Sequence, residues 1–140
     1  MSKPIDLSVD IAGVTLKNPI TTASGTFAPR EFSQFMDLSE LGGVIVKGIA
    51  SVSWKGNPTP RVAETYGGML NAVGLQNPGV DYFIKNDLPY LEQFDTKIIV
   101  NIAGRTIEEY CEVVEKLVHT SIDLLELNIS CPNVKEGGIG

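Results

Sequence analysis

The chain contains little cysteine, no run of basic residues and no long apolar segment near its start. Its two cysteines, Cys111 and Cys131, show no Cys-x-x-Cys spacing, which argues against a disulfide framework or a zinc site, so we expect no metal. The 17 Asp and Glu residues outnumber the 11 Lys and Arg residues, and the formal net charge of −6 argues against nucleic acid as a partner. Residues 1–6 include no apolar run of the kind that a signal peptide or a membrane span needs. We therefore expect a cytoplasmic protein that does not associate with membranes.

What the chain does contain is typical of one globular domain: 140 residues, of which 43% are hydrophobic and 20% are charged. Residues 136–140 are rich in glycine and look like a loop cut in its middle, without a closing helix or strand. We therefore expect the chain to be half of something larger.

Strands and helices are predicted to alternate along the chain. Two short apolar runs flank Ala12-Gly13, which indicates a hairpin. The patterns beyond it predict strands at 19–25, 44–48, 97–104 and 123–127, helices at 31–41, 79–94 and from 106 onward, and a long loop at 51–77. A loop of that length is typical of a lid or a binding loop. The β–α alternation predicts a parallel sheet in an α/β fold. The sequence has no GxGxxG or P-loop pattern, which argues against a nucleotide-binding doubly wound domain.

The helix that starts near residue 106 is predicted to begin with a capping box formed by Thr106 and Glu109. One apolar stripe on this helix is predicted to face the core: Ile107, Cys111, Val114 and Val118. We therefore interpret Cys111 as a packing residue. We interpret His119, near the end of the helix, as a structural residue, since a cation there suits the helix dipole.

A single thiol lies between two carboxamides at the point where an apolar strand ends. Residues 123–127 predict the strand, and Pro132 ends it because proline has no N–H to pair. Asn128 and Asn133 flank Cys131 and offer donors and acceptors for a planar, hydrogen-bonding ring. On these residues alone, Cys131 fits either a reactive thiol at the end of a parallel strand or a buried, inert one.

Each of the four predicted core strands has a polar residue at or near its carboxyl end: Ser24, Lys47, Asn101 and Asn128. The carboxyl ends of the strands of a β/α barrel meet at one mouth, where the chemistry takes place. Strand alternation predicts that Glu126 and Asn128 point into the barrel while Leu125 and Leu127 face the helices. Lys47 follows an apolar run, which favours a site residue over an exposed surface cation.

The segment 71–79 adds a further element to the predicted site. Its glycines would let the backbone approach a ligand closely. The alternative is a plain turn before the next helix, which Asn77-Pro78 would start well.

Taken together, these segments resemble class 1 dihydroorotate dehydrogenases, the FMN enzymes of pyrimidine synthesis built on a β/α barrel. The resemblance spans the whole chain and rests on four motifs: Asn128-Ile-Ser-Cys131-Pro-Asn133, Asn71-Ala-Val-Gly-Leu75, Lys47-Gly48 and Ala23-Ser24-Gly25. Residues 56–65 and 74–79 are similar to the B-type catalytic subunit. That type passes electrons to NAD through a second subunit that carries FAD and a [2Fe-2S] cluster.

The resemblance implies a TIM (β/α)8 barrel, of which residues 1–140 supply the first four β/α units and an N-terminal hairpin. A whole barrel takes about 250 residues, so this chain would be the N-terminal half of one FMN-binding domain. On its own we expect it to bind FMN poorly and to turn over nothing.

The resemblance also implies roles for individual residues. Cys131 matches the base that removes a proton from C5 of dihydroorotate while a hydride leaves C6 for the flavin. The positions that match substrate contacts are Lys47, Asn71, Ala72, Val73, Gly74, Leu75, Asn128 and Asn133. The positions that match flavin contacts are Ala23, Ser24, Lys47, Gly48, Asn101 and Asn128.

The implied small-molecule partner is dihydroorotate or orotate. The implied assembly is a heterotetramer, in which a homodimer of catalytic subunits binds the electron-transfer subunit. Two alternatives stay open at this point. One is an FMN barrel similar to dihydropyrimidine dehydrogenase, which acts on uracil or thymine. The other is a non-catalytic half barrel that serves as an interaction fragment.

Overall fold

The structure, a computed structural model, describes residues 5–129. It starts with an antiparallel hairpin of β1 (Val9–Ile11) and β2 (Val14–Leu16). Ala12 and Gly13 form the two-residue turn with φ of 52° and 84°, as a type I′ turn requires. The predicted hairpin is confirmed.

The next two predicted elements are shorter than expected. The strand expected at 19–25 makes one parallel bridge, between Thr21 and Gly43. The helix expected at 31–41 is split into α1 (Pro29–Phe32) and a 3-10 turn (Leu38–Glu40). The Asp37 carboxylate accepts a hydrogen bond from the Ser39 N–H at 2.9 Å, which starts the second turn separately.

After β3 (Gly43–Ile45), the chain enters the segment that the sequence predicts as a loop without strands. This prediction is wrong in part, because the segment contains a second antiparallel hairpin of β4 (Val62–Thr65) and β5 (Gly68–Asn71). Every residue of both strands is exposed. The two strands therefore lack the alternation of buried and exposed side chains by which a strand is recognised from sequence.

The helix predicted at 79–94 is present with an irregular middle. It comprises α2 (Val80–Tyr82), a π-helical turn (Phe83–Asp87) and α3 (Leu88–Leu91). The π turn comes just before Pro89, whose missing N–H interrupts an α-helical ladder. The helix is therefore continuous from Val80 to Leu91 but irregular in the turn before this proline.

A parallel sheet in the order β3-β6-β7 forms the centre of the structure. Here β6 is Lys97–Ile102 and β7 is Leu124–Leu127, joined by α4 (Ile107–Leu117). Both pairings of β6 are parallel, which confirms the predicted α/β class of sheet.

The core lies between the helices and one face of this sheet. Alternate residues of β6, Ile98, Val100 and Ile102, point to the helices and are at most 4% exposed. The rest of the buried cluster comes from β3, from the segments on either side of it and from the helices other than α1: Leu38, Leu41, Val44, Val46, Ile49, Val80, Phe83, Leu88, Leu91, Val113 and Leu117. The other face of the sheet is left for Ile99 and Asn101, which point away from the helices.

The structure corrects the predicted orientation of α4. The helix buries Val113 and Leu117, whereas Ile107 is 78% exposed and Cys111 is also exposed. The prediction that Cys111 packs in the core is wrong, because α4 carries apolar residues on two faces and the chosen stripe lies on the uncovered one. The cap is confirmed: the Thr106 hydroxyl accepts from the Glu109 N–H at 3.3 Å. The Glu109 carboxylate accepts from the neighbouring N–H of residue 105, at 2.7 Å.

Between residues 5 and 129, no helix is both long enough and apolar enough to cross a membrane.

One carboxylate at the start of the sheet should be unusually important for stability. Asp123 accepts the N–H of buried Ile98 at 2.8 Å and also pairs with Lys97 at 2.8 Å. We expect Asp123→Ala to lower the free energy of unfolding by about 1–3 kcal/mol, because a buried N–H loses its acceptor. Asp81→Ala is the control. Asp81 pairs with Lys116 at the surface, and losing this ion pair should cost less than about 1 kcal/mol. Equal losses in urea unfolding would contradict the prediction.

Candidate functional site

The carboxyl ends of the three parallel strands are held side by side by backbone hydrogen bonds that continue past the strands. The Ile49 N–H donates to the Asn101 carbonyl and the Ala103 N–H donates to the Ile49 carbonyl, both at 2.9 Å. The Asn128 N–H donates to the Ile102 carbonyl at 2.9 Å. This frame brings together residues from the ends of three strands.

Three polar side chains form a chain across the ends of β6 and β7, which we call the polar relay: Glu126, Asn101 and Asn128. Asn101 donates through Nδ2 to the Glu126 carboxylate at 2.5 Å. Asn128 donates through Nδ2 to Asn101 Oδ1 at 3.3 Å. Asn101 is only 3% exposed. The predicted inward direction of Glu126 and Asn128 agrees with these contacts.

Asn128 is also fixed through its backbone. Its carbonyl accepts a hydrogen bond from the Tyr110 hydroxyl on α4, while its N–H is bound to Ile102. No sequence motif predicts a role for Tyr110. The sequence feature that could have indicated this contact is the position of Tyr110, one turn after the N-cap of α4, where it faces the end of the next strand.

Gly48 lies against the polar relay. A Cβ at this position would be 2.7 Å from Asn101 Oδ1, 2.8 Å from Leu75 Cδ2 and 3.4 Å from Asn128 Nδ2. Gly48 therefore lies close to three other predicted site positions, Asn101, Leu75 and Asn128. The absence of a side chain at Gly48 is what lets the segment 71–79 close onto the ends of the strands.

Buried Asn77 attaches the segment 71–79 to the rest of the structure. Its Oδ1 accepts from the N–H groups of Ala50 and Gly79 at 3.1 and 3.0 Å, and its Nδ2 donates to the Leu75 carbonyl at 2.8 Å. Leu75, which accepts from Asn77, has a positive φ of 52°. From sequence, Asn77 is predicted only as part of a turn, because its burial is not visible in the local pattern.

Asn57 holds the other side of the same segment. Its N–H donates to the Val73 carbonyl at 2.9 Å and its Nδ2 donates to the Ala72 carbonyl at 2.8 Å. Gly74, with φ of 75°, leaves the space that the Asn57 side chain occupies. The segment is thus fixed from two sides, which is more than a plain turn requires.

Lys47 lies on the other side of the site, half-buried at the end of β3. A Cβ on Gly25 would be 3.6 Å from its ammonium nitrogen, so the lysine reaches the predicted segment 23–25. Within that segment the Ala23 carbonyl accepts from Thr26 N–H at 3.2 Å, and Ser24 is half-buried.

The remaining predicted residues stand as follows. Asn71 ends β5, where it pairs with Val62, and both Asn71 and Ala72 are exposed. Cys131 and Asn133 lie outside the described residues.

A cavity of about 610 Å³ adjoins Lys47 and is bounded by α1, α3 and the π turn. In its wall the Arg30 guanidinium stacks on Tyr90 at 4.3 Å, and its Nε lies 3.6 Å from the Asp87 carboxylate. Burial raises the pKa of Asp87, with Arg30 opposing that effect and Glu31 adding to it.

The family model described as "Dihydroorotate dehydrogenase" matches residues 6–140 of the chain. The chain belongs to the dihydroorotate dehydrogenase family. The family predicted from the sequence motifs is therefore confirmed.

Curated dihydroorotate dehydrogenases of one type match the chain closely. It is 68% identical over 136 residues to the "Dihydroorotate dehydrogenase B (NAD(+)), catalytic subunit" of Alkaliphilus metalliredigens, covering 96% of this chain and 45% of that protein. It is 58% identical over 135 residues to the protein of the same name from Geobacillus kaustophilus, covering 95% and 43%. The chain thus spans a little under half the length of the curated relatives that it matches.

A solved dihydroorotate dehydrogenase supports the fold. The crystal structure of DHODH in complex with ferulenol from Eimeria tenella matches with a TM-score of 0.69 and 28% identity, over 93% of this chain and 38% of that one. The parallel sheet and its helices are accordingly part of a β/α-barrel type of fold.

In this member of the dihydroorotate dehydrogenase family, Gly48 should tolerate no larger residue. We expect Gly48→Ala to destabilise the protein by about 1–3 kcal/mol, because the added methyl group meets buried Asn101 and Leu75. Gly68→Ala is the control, since its Cβ would meet only the Thr65 hydroxyl at 3.3 Å. Urea unfolding that gives the same midpoint for both variants would contradict the assigned role of Gly48.

The raised pKa of Asp87 leads to a pH-dependent prediction. Folding favours the protonated carboxyl, so the stability that Asp87 contributes is present below its ordinary pKa of 3.8 and is lost as pH rises through the raised value. Relative to Asp87→Asn, the wild type should therefore lose stability as pH rises through this window.

Asp95→Asn provides a control of opposite sign. A hydrogen bond and the charge of Lys17 lower the pKa of Asp95, so relative to this variant the wild type should gain stability as pH rises. Urea unfolding over a pH series measures both trends. Trends of the same sign would show that the assignment for Asp87 is wrong.

Proposed function

We propose that the chain forms the N-terminal part of a B-type dihydroorotate dehydrogenase, which oxidises dihydroorotate to orotate in pyrimidine synthesis. The observation that carries this proposal is the close approach of Gly48 to Leu75, Asn101 and Asn128 at the ends of adjacent parallel strands. These are positions that match flavin and substrate contacts in the family. The names of the relatives, NAD(+)-linked catalytic subunits, support the B type.

In the proposed architecture, the chain supplies the hairpin and the first four β/α units of an eight-stranded barrel. The strands would be the bridge at Thr21, β3, β6 and β7, in that order. An uncovered apolar groove supports the presence of a further unit beside β7. It is lined by residues of α4 and of the strand end: Ile107, Tyr110, Cys111, Val114, Leu127 and Ile129.

The residues fit FMN as the cofactor of this site. The proposed contacts are the half-buried Lys47 cation, the carboxamides of Asn101 and Asn128, and the backbone of Gly48, which a ligand can approach closely. This set suits a planar ring with several donors and acceptors. The group would be held by Ala23, Ser24, Lys47, Gly48, Asn101 and Asn128. When bound, FMN supplies the acceptor for the hydride that leaves C6 of the substrate.

The substrate would lie against the segment 71–75, Lys47, Asn128 and Asn133. A carboxylate such as that of dihydroorotate finds its counter-charge in Lys47. Cys131 is assigned the role of base, taking the proton from C5 as a thiolate. An unperturbed thiol has a pKa of about 8.5, so a positive group such as Lys47 nearby would raise the reactive fraction at neutral pH.

The proposed assembly is a homodimer of catalytic subunits with an electron-transfer subunit that carries FAD and a [2Fe-2S] cluster. Electrons would pass through that subunit to NAD+. The assembly would work in the cytoplasm. The isolated 140 residues are expected to retain little FMN, because the chain spans less than half of its relatives.

Anaerobic reduction of the flavin tests the proposed function in a full-length polypeptide that carries this chain, which we call the full-length protein. We expect dihydroorotate to bleach the flavin absorbance, and Cys131→Ala to slow bleaching by about 10²–10⁴-fold, the usual contribution of a general base. Cys111→Ala is the matched control and should bleach at the normal rate, because Cys111 lines the apolar groove beside α4 and is not one of the proposed site residues.

Absence of bleaching in the wild type would overturn the proposed function. Bleaching at the normal rate in Cys131→Ala would remove Cys131 as the base while leaving the function in place.

A further inference from the structure

We propose that Glu126 is a positioning residue that determines which end of the Asn128 carboxamide faces the ligand. Through the polar relay it makes Asn128 present an oxygen, and the site thereby selects a ligand with a ring N–H at that point. This inference rests on the proposed function, in which Asn128 contacts the bound ring.

The first step is the contact between Glu126 and Asn101. The two residues are directly paired in the parallel register of β7 and β6, so their side chains lie on the same face of the sheet. An ionised carboxylate can only accept hydrogen bonds, and Asn101 Nδ2 donates to it at 2.5 Å. Asn101 must therefore turn its NH2 group toward Glu126 and its oxygen away from it.

The second step passes this orientation to Asn128. The outward-turned Asn101 Oδ1 can only accept, and Asn128 Nδ2 donates to it at 3.3 Å. Reversing the Asn128 carboxamide would set two oxygens against each other. Since Asn101 is 3% exposed, water cannot readily replace the lost partner.

The surroundings leave these carboxamides little freedom to escape the relay. Gly48 lies so close to Asn101 Oδ1 that a Cβ there would be 2.7 Å away. The backbone of Asn128 is held by Ile102 on one side and by Tyr110 on the other. The main movement left to the Asn128 side chain is therefore a flip that exchanges its amide oxygen and nitrogen, and Glu126 opposes this flip.

The result is an acceptor at the end of β7. Among the contacts within residues 5–129, Asn128 Oδ1 accepts no hydrogen bond, while its Nδ2 is engaged with Asn101. The negative charge of Glu126 polarises the chain of hydrogen bonds toward this oxygen, which strengthens it as an acceptor. Such an oxygen fits the lactam or imide N–H of a pyrimidine-like ring and disfavours a ring nitrogen that carries a methyl group.

Titration of the FMN-loaded full-length protein with orotate, 1-methylorotate and 3-methylorotate tests the inference. The change in flavin absorbance on binding gives each Kd. The wild type is expected to bind one of the methylated compounds about tenfold or more weakly than orotate, because the Asn128 oxygen loses its donor. Using both isomers identifies the nitrogen concerned.

The variants separate positioning from a general structural effect. Glu126→Leu removes the acceptor, so the Asn128 carboxamide is free to turn. This variant should bind orotate more weakly. Its gap, by which we mean the ratio of the Kd of the methylated compound to that of orotate, should fall to about threefold or less. Glu126→Gln retains an acceptor for Asn101 and should keep most of the gap. Glu112→Leu, an exposed position on α4, should change neither value. Glu126→Met, flexible and of similar length, takes the place of Glu126→Leu if that variant does not fold.

Each outcome decides a different question. If the ratio of the two Kd values is the same in the wild type and in Glu126→Leu or Glu126→Met, the role of Glu126 is overturned while the proposed function stands. A gap lost equally in Glu126→Gln would also overturn it, because the retained acceptor would then have no effect. A wild type that binds no orotate would overturn the proposed function and this inference with it.

Discussion

The parallel pairing of β6 with its two neighbours is the constraint on which the rest of the structure depends. Its register places Asn101 beside Glu126, and the hydrogen bonds that continue it hold Ile49 and Asn128 at the ends of the neighbouring strands. A shift by one residue would turn Asn101 toward the apolar helices and bring Val100 into the polar relay. The apolar face of β6, buried against α4 and the 80–91 helix, opposes such a shift. Core packing and site geometry are thus fixed by the same pairing.

The loops of the site are ordered by side chains that belong to no helix or strand. Asn77 supplies three hydrogen bonds to backbone groups, and Asn57 supplies a further one to the opposite side of the same segment. A loop held in this way loses less conformational freedom when a ligand binds, because much of the ordering has already taken place on folding. Gly48 completes the arrangement by allowing Leu75 to reach the ends of the strands.

The parts of this fold that could be predicted from sequence are those with strong local signals. The Ala12-Gly13 turn, the apolar run of β6 and the Thr106 cap each depend on adjacent residues, and all three were predicted. The hairpin of β4 and β5 was not, because neither strand has a buried face. The face of α4 was misassigned because two apolar faces were available and only tertiary packing chooses between them.

The candidate site divides along the same line. Lys47, Asn101 and Asn128 were predicted as candidate site residues because each lies near the carboxyl end of an apolar run, and a polar residue at such a point is visible in the sequence alone. The link between Glu126 and Asn101 joins residues 25 positions apart and depends on the register of two strands, which no local pattern contains. Sequence motifs can therefore indicate which groups belong to a candidate site. The direction in which those groups present their donors and acceptors follows from residues behind them, and for this the structure is needed.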